Sequence, residues 1–254
     1  MPNLINVLAL FAHPDDAEFL CAGTLARIAG LGAEIHIATL SAGDCGSTTL
    51  PAGKIAALRQ QEASRAARTI GARFHCLKSR DLLIFYDRPH LNKVMELVRQ
   101  TRPSLVLTHS PVDYMIDHET VSRLCQSACF GALAPNYRTG ARHPAPPLRG
   151  VPHLYYADAF GRRDILGNKI ESSLAVDIGA TLKRKEEMLS CHESQQVWLK
   201  TQQGIPETIQ TMRKMAREAG KRAGFRWAEG FRQHLGQGFP ATNLLKELLG
   251  PSVR

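Results

Sequence analysis

Four short apolar runs, separated by amphipathic stretches, set the rhythm of the first two-thirds of this 254-residue chain and limit what it can fold into. Ile5-Asn6-Val7-Leu8-Ala9-Leu10-Phe11 is nearly all apolar and is bounded by Pro14, so it reads as a buried strand. "AEIHIATL" (33–40), "RFHCL" (73–77) and "SLVLTH" (104–109) repeat the pattern, with helices predicted near 17–30, 53–70, 88–101 and 118–132. Strand and helix in alternation build right-handed β-α-β units. The predicted fold class is therefore α/β, an open and mostly parallel sheet with helices on both faces.

Further along, "HLYYAD" (153–158) and "SSLAVDI" (172–178) read as later strands. The Pro-, Gly- and Arg-rich stretch 134–150 reads as a long loop, an active-site flap or a contact loop. From about 179 the chain reads as helices, so we expect one domain over 1–254, with a core to about 195 and a helical C-terminal region over 196–254.

Composition removes several function classes. No apolar stretch reaches the roughly 18 residues that a membrane helix needs, and the first dozen residues lack a basic start and a small-residue cleavage site, so a cytoplasmic protein is expected. The six cysteines are scattered without C-x-x-C pairs, as reduced thiols are. A formal charge of +9 could attract nucleic acid, but the basic residues after 182 alternate with Glu186, Glu187, Glu193, Glu207, Glu218 and Glu229 as on a solvated helix face. No nucleic-acid partner is expected; positive charge would also suit a small anionic substrate, so charge alone decides little. No G-x-G-x-x-G or phosphate loop follows any predicted strand.

Two strand ends carry the chemistry. In an open parallel sheet ligands bind beyond the carboxyl ends of the strands. The first strand runs into "HPDD" (13–16) and the fourth into "THSPVDYMIDHE" (108–119). His13 and Asp16, three apart in a turn held by Pro14, can face one point, and His118 completes a three-ligand set that leaves a position for water. Asp15 should diverge from Asp16 and reach that water as a general base. Zn²⁺ suits the set, and so does the Fe²⁺ of two-histidine, one-carboxylate oxygenases. Taken singly, either segment could be only a capped helix start or a satisfied histidine.

The chain resembles the PIG-L (LmbE-like) family of zinc-dependent N-deacetylases. The likeness rests on "AHPDDAEFLCAGTL" (12–25), "RQQE" (59–62), "DYMIDH" (113–118) and "CHESQ" (191–195). It implies a Rossmann-like sheet, hydrolysis of the N-acetyl group of N-acetylglucosamine-type conjugates, zinc on His13, Asp16 and His118, and Asp15 as base. It further implies substrate-binding roles for Arg59 and Asp44, and a role for Asp113 in substrate binding or in orienting a ligand histidine. Many members carry H-P-D-H where this chain has Met115-Ile116-Asp117-His118, and a thioether has no proton to give. His192 is the candidate replacement acid, with His143 of the long loop behind it. A glycan-binding pseudoenzyme is the rival from outside enzymology, and the sequence leaves the acyl group, the aglycone and homo-oligomerisation open.

Overall fold

A computed structural model describes residues 5–202, 204 and 207–254. Its sheet has seven strands in the order β3-β2-β1-β4-β5-β7-β6: β1 Asn6–Phe11, β2 Glu34–Ser41, β3 Arg73–Ser79, β4 Leu105–Thr108, β5 His153–Ala157, β6 Leu174–Asp177 and β7 Ala228–Gln233. The first five are parallel, and β7 runs antiparallel to both of its neighbours. The chain steps from β1 outward to β3 on one side, then returns to place β4 and β5 on the other. The point of reversal lies between β1 and β4, where a crevice opens at the carboxyl ends of the strands.

Helices cover both faces. The α-helices among the described residues are α1 Asp16–Leu20, α2 Ala22–Ala29, α3 Ala52–Arg68, α4 Arg88–Thr101, α5 Ile116–Gly131, α6 Leu182–Ser190, α7 Glu193–Gln202, α8 Thr208–Ala223 and α9 Leu244–Leu249. Val7, Ala9 and Phe11 of β1 face a core with Leu25 and Ile28 of α2, while Leu8 and Leu10 face one with Val94 and Val98 of α4 and Val121 and Leu124 of α5. A strand apolar on both sides is what the uninterrupted run at 7–11 anticipates. None of these helices is long and apolar enough to cross a membrane.

Three expectations need correction. The helix expected over 17–30 is two, meeting at Cys21, whose φ of −144° is not helical. The C-terminal region is not all helix, because β7 inserts between β5 and β6. Glu229 of β7 is buried and accepts from the Gly23 and Thr24 amides, at 2.9 and 2.7 Å, and from Lys185 Nζ at 2.5 Å. A carboxylate set against the first turn of α2 is stabilised by that helix's free N–H groups. The boundary expected near 195 therefore does not bound the sheet. Lastly, the loop at 134–150 is held away from the crevice, since Arg99 donates to the carbonyls of Ala132, Ala134 and Tyr137. His143 belongs to that loop, and no residue of it lines the cavity described next.

Candidate active site

The tight turn after β1 and the first turn of α5 meet at the crevice. Asp16 begins α1 and its Oδ2 accepts from the His13 amide at 2.7 Å, which closes the turn across Pro14. Asp15, between them, takes φ 101°, a left-handed conformation that disfavours any residue but glycine and is kept where the surroundings enforce it. Its side chain thereby leaves the Asp16 direction. Arg59, reaching up from α3, donates to the Pro14 carbonyl at 2.5 Å and to Asp15 Oδ1 at 3.1 Å.

His13, Asp16 and His118 each present one donor atom, all within 4.8 Å of one another. His13 Nδ1 lies 3.3 Å from Asp16 Oδ2, and His118 Nε2 lies 3.6 Å from Asp16 Oδ1. The other nitrogen of each imidazole is held by a carboxylate: His13 Nε2 by Asp117 at 3.1 Å, and His118 Nδ1 by Asp113 at 2.9 Å. Outer carboxylates that fix ring and tautomer are the usual support of metal-binding histidines. His109, Asp113 and His118 form a second cluster of donors, but His109 and Asp113 do not line the cavity. The first set therefore fits a divalent cation with access from outside.

The charge balance agrees. Burial would lower the His13 pKa, yet hydrogen bonds to Asp117 and Asp16 and the charges of Asp16 and Asp81 push it up to about 10. Burial works to raise Asp16; the His118 and His109 imidazoles outweigh it and hold the carboxyl well below the usual range. Asp15 is pushed up to about 6 by burial, against the pull of Arg59. A carboxyl near neutrality can take up a proton and return it.

The remaining sequence-derived residues fall in different places. Asp44 does not line the cavity: it accepts from Arg80 at 2.9 Å and from the Asp81 amide at 2.8 Å, and so shapes its loop. Asp113 is buried behind His118 rather than open to a ligand. His192 is also buried and outside the cavity lining, its Nε2 3.5 Å from Glu18 Oε2. Burial lowers its pKa, but Glu18 more than offsets this, so the net shift is upward. Three residues of this site have no counterpart in the sequence reading. Asp117 accepts from His13 and from the Leu82 amide, Asp81 accepts from Ser41 Oγ and the Cys45 amide, and His109 stacks on His118 at 3.9 Å with its Nε2 3.1 Å from Asp16. The one available signal was the "TH" that closes the fourth apolar run.

Residues 8–129 match the family model described as PIG-L, GlcNAc-PI de-N-acetylase. Over those residues the chain is similar to the PIG-L family. A stretch of 158 residues is 28% identical to the 4-oxalmesaconate hydratase of Pseudomonas putida strain KT2440, covering 59% of either chain. A shorter stretch of 74 residues is 39% identical to the 1D-myo-inositol 2-acetamido-2-deoxy-alpha-D-glucopyranoside deacetylase of Segniliparus rotundus, covering 29% of this chain and 22% of that one. These matches span less than two-thirds of either relative. The N,N'-diacetylchitobiose deacetylase from Pyrococcus horikoshii superposes with a TM-score of 0.76 at 22% identity, over 95% of this chain and 89% of that one. That likeness is one of fold.

Proposed function

We propose that the protein is a metal-dependent N-deacylase that removes an acetyl or related acyl group from an amino-sugar conjugate. The observation that carries this reading is Asp15: a carboxyl raised toward neutrality, in a left-handed turn, beside a two-histidine, one-carboxylate donor set. His13, Asp16 and His118 would hold the ion, zinc by preference and iron as the alternative. Bound there, a divalent ion supplies Lewis acidity toward a water and an amide carbonyl.

The protein's own groups do the rest. Asp15 accepts the proton of the attacking water, and Arg59 keeps its carboxylate aimed by the bond at 3.1 Å. The same carboxyl returns that proton to the departing amine nitrogen, since Met115 has none to give and His192 does not reach the cavity. Asp117 and Asp113 keep the two imidazoles in one orientation throughout.

The hydratase relative supports a second reading, in which the same base adds water to the double bond of a carboxylate substrate. Charge argues against it. Among the described residues, Arg59 is the one Lys or Arg that lines the cavity, and it is already paired with Asp15. Purified protein should release acetate from N-acetylglucosamine conjugates, and Asp15→Asn should abolish the release while metal stays bound. Hydration of an unsaturated dicarboxylate with no acetate released from any conjugate would instead establish the second reading.

A further inference from the structure

The walls above the donor set supply a property of the substrate, and this step rests on the deacylase reading. A row of rings leaves the site from His118: Tyr114 stands edge-on to it at 5.4 Å, Phe160 follows at 6.1 Å from Tyr114, and Phe19 at 5.5 Å from Phe160. Leu82 lies on the cavity wall as well, as do Trp198 and Leu199 from α7. Leu82 and Tyr114 are 66% and 44% exposed, apolar surface turned to water at the mouth. Leu82 is held there at φ 64°, and its amide donates at 2.8 Å to Asp117, the carboxylate that also orients His13. A leucine in that conformation is uncommon and costs free energy, so the local structure fixes its place on the wall.

Apart from the Tyr114 hydroxyl, polar side chains of the lining able to meet sugar hydroxyls are largely engaged. Gln195 donates to the Gly46 carbonyl at 3.2 Å, Arg59 is bound to Pro14 and Asp15, and Asp44 lies outside the cavity. Hydroxyl groups pressed on such a wall would lose their hydrogen bonds to water without replacement. A flat apolar group loses nothing there and gains ring contacts. We propose that the substrate places an apolar ring against the Tyr114–Phe160–Phe19 row, carried next to the hydrolysed amide on either its acyl or its aglycone side.

Two pairs of compounds test this and separate the two sides: phenyl against methyl 2-acetamido-2-deoxy-β-D-glucopyranoside, and N-benzoyl- against N-acetylglucosamine. In one pair the ring-bearing member should bind at least about tenfold more tightly by calorimetry and give a correspondingly higher kcat/KM. Phe160→Leu, which keeps bulk and removes the ring, should cut that ratio to within about threefold, and Trp198→Ala, at the α7 part of the lining, should lower it as well. Binding and turnover equal within about threefold in both pairs would overturn the inference and leave the deacylase standing. Ring-dependent binding with no acid released from any compound would retain the apolar wall and overturn the deacylase.

Discussion

Asp15 and Asp16 are neighbours in opposite surroundings, and each should fail in its own way when neutralised. Asp16→Asn weakens a donor and should lower the metal bound per chain, read by elemental analysis. Asp15→Asn should keep the metal and lose turnover by on the order of 10²-fold or more; released metal in Asp15→Asn alone would reverse the roles. Arg59 shows how contact revises a role. As a remote substrate-binding residue it would chiefly alter KM, but it touches Asp15, so Arg59→Ala should lower kcat and kcat/KM together by about tenfold or more. A raised KM at unchanged kcat would return it to substrate binding. His13, Asp15, Asp16 and His118 could be named from the sequence because they crowd two strand ends, whereas Arg59 on α3 came only with the family resemblance. Asp117, Asp81 and His109 could not. Their work is to face His13, Ser41 and Asp16, and no local spacing records a partner 104, 40 or 93 residues away.

Helix α3 joins two parts of the site. Three residues after Arg59, the buried Glu62 accepts from the amide and hydroxyl of Ser194, at 2.9 and 2.6 Å, and so caps the start of α7. Glu62→Ala should lower stability by about 1–2 kcal/mol, the scale of a lost cap, and speed hydrogen exchange in α7 more than in α3. Equal exchange in the two helices would dissociate Glu62 from α7. On β2 and β3, His36 Nδ1 and His75 Nε2 lie 2.9 Å apart. Burial lowers both pKa values, with Arg73 adding to the effect on each and His36 to that on His75. Histidines whose folded pKa is depressed bind fewer protons than in the unfolded chain. Their contribution is complete above the ordinary imidazole pKa of about 6.5 and is lost as pH falls below it. The urea midpoint should therefore drop between pH 7.5 and 5.5, and His75→Gln should flatten that drop; an unchanged slope would clear the pair.

At the scale of the molecule, the donor set ties the turn after β1 to the start of α5, across the point where strand order reverses. An ion there binds the folded chain alone. At a free concentration 100 times its Kd it should add about 2.7 kcal/mol, and chelation should lower the Tm by about 5–10 °C. His118→Ala should abolish that difference, and an unchanged Tm on chelation would exclude the site. The core of the parallel half was legible because β1, β2 and β4 are apolar runs with a helix after each. Strand β7 was not. "AEGFRQ" carries Glu229 and Gly230 in its middle, and what makes it a strand lies elsewhere: the α2 amides and Lys185 that donate to Glu229, and the Asp158 side chain that a Cβ at position 230 would strike at 2.2 Å. One further consequence follows from α3, whose Arg59 grips the turn that bears the chemistry while Glu62 grips the helix that bears the wall. A mutant library confined to positions 160, 198 and 199 should then change which ring-bearing compounds bind while the metal held per chain by 13, 16 and 118 stays constant.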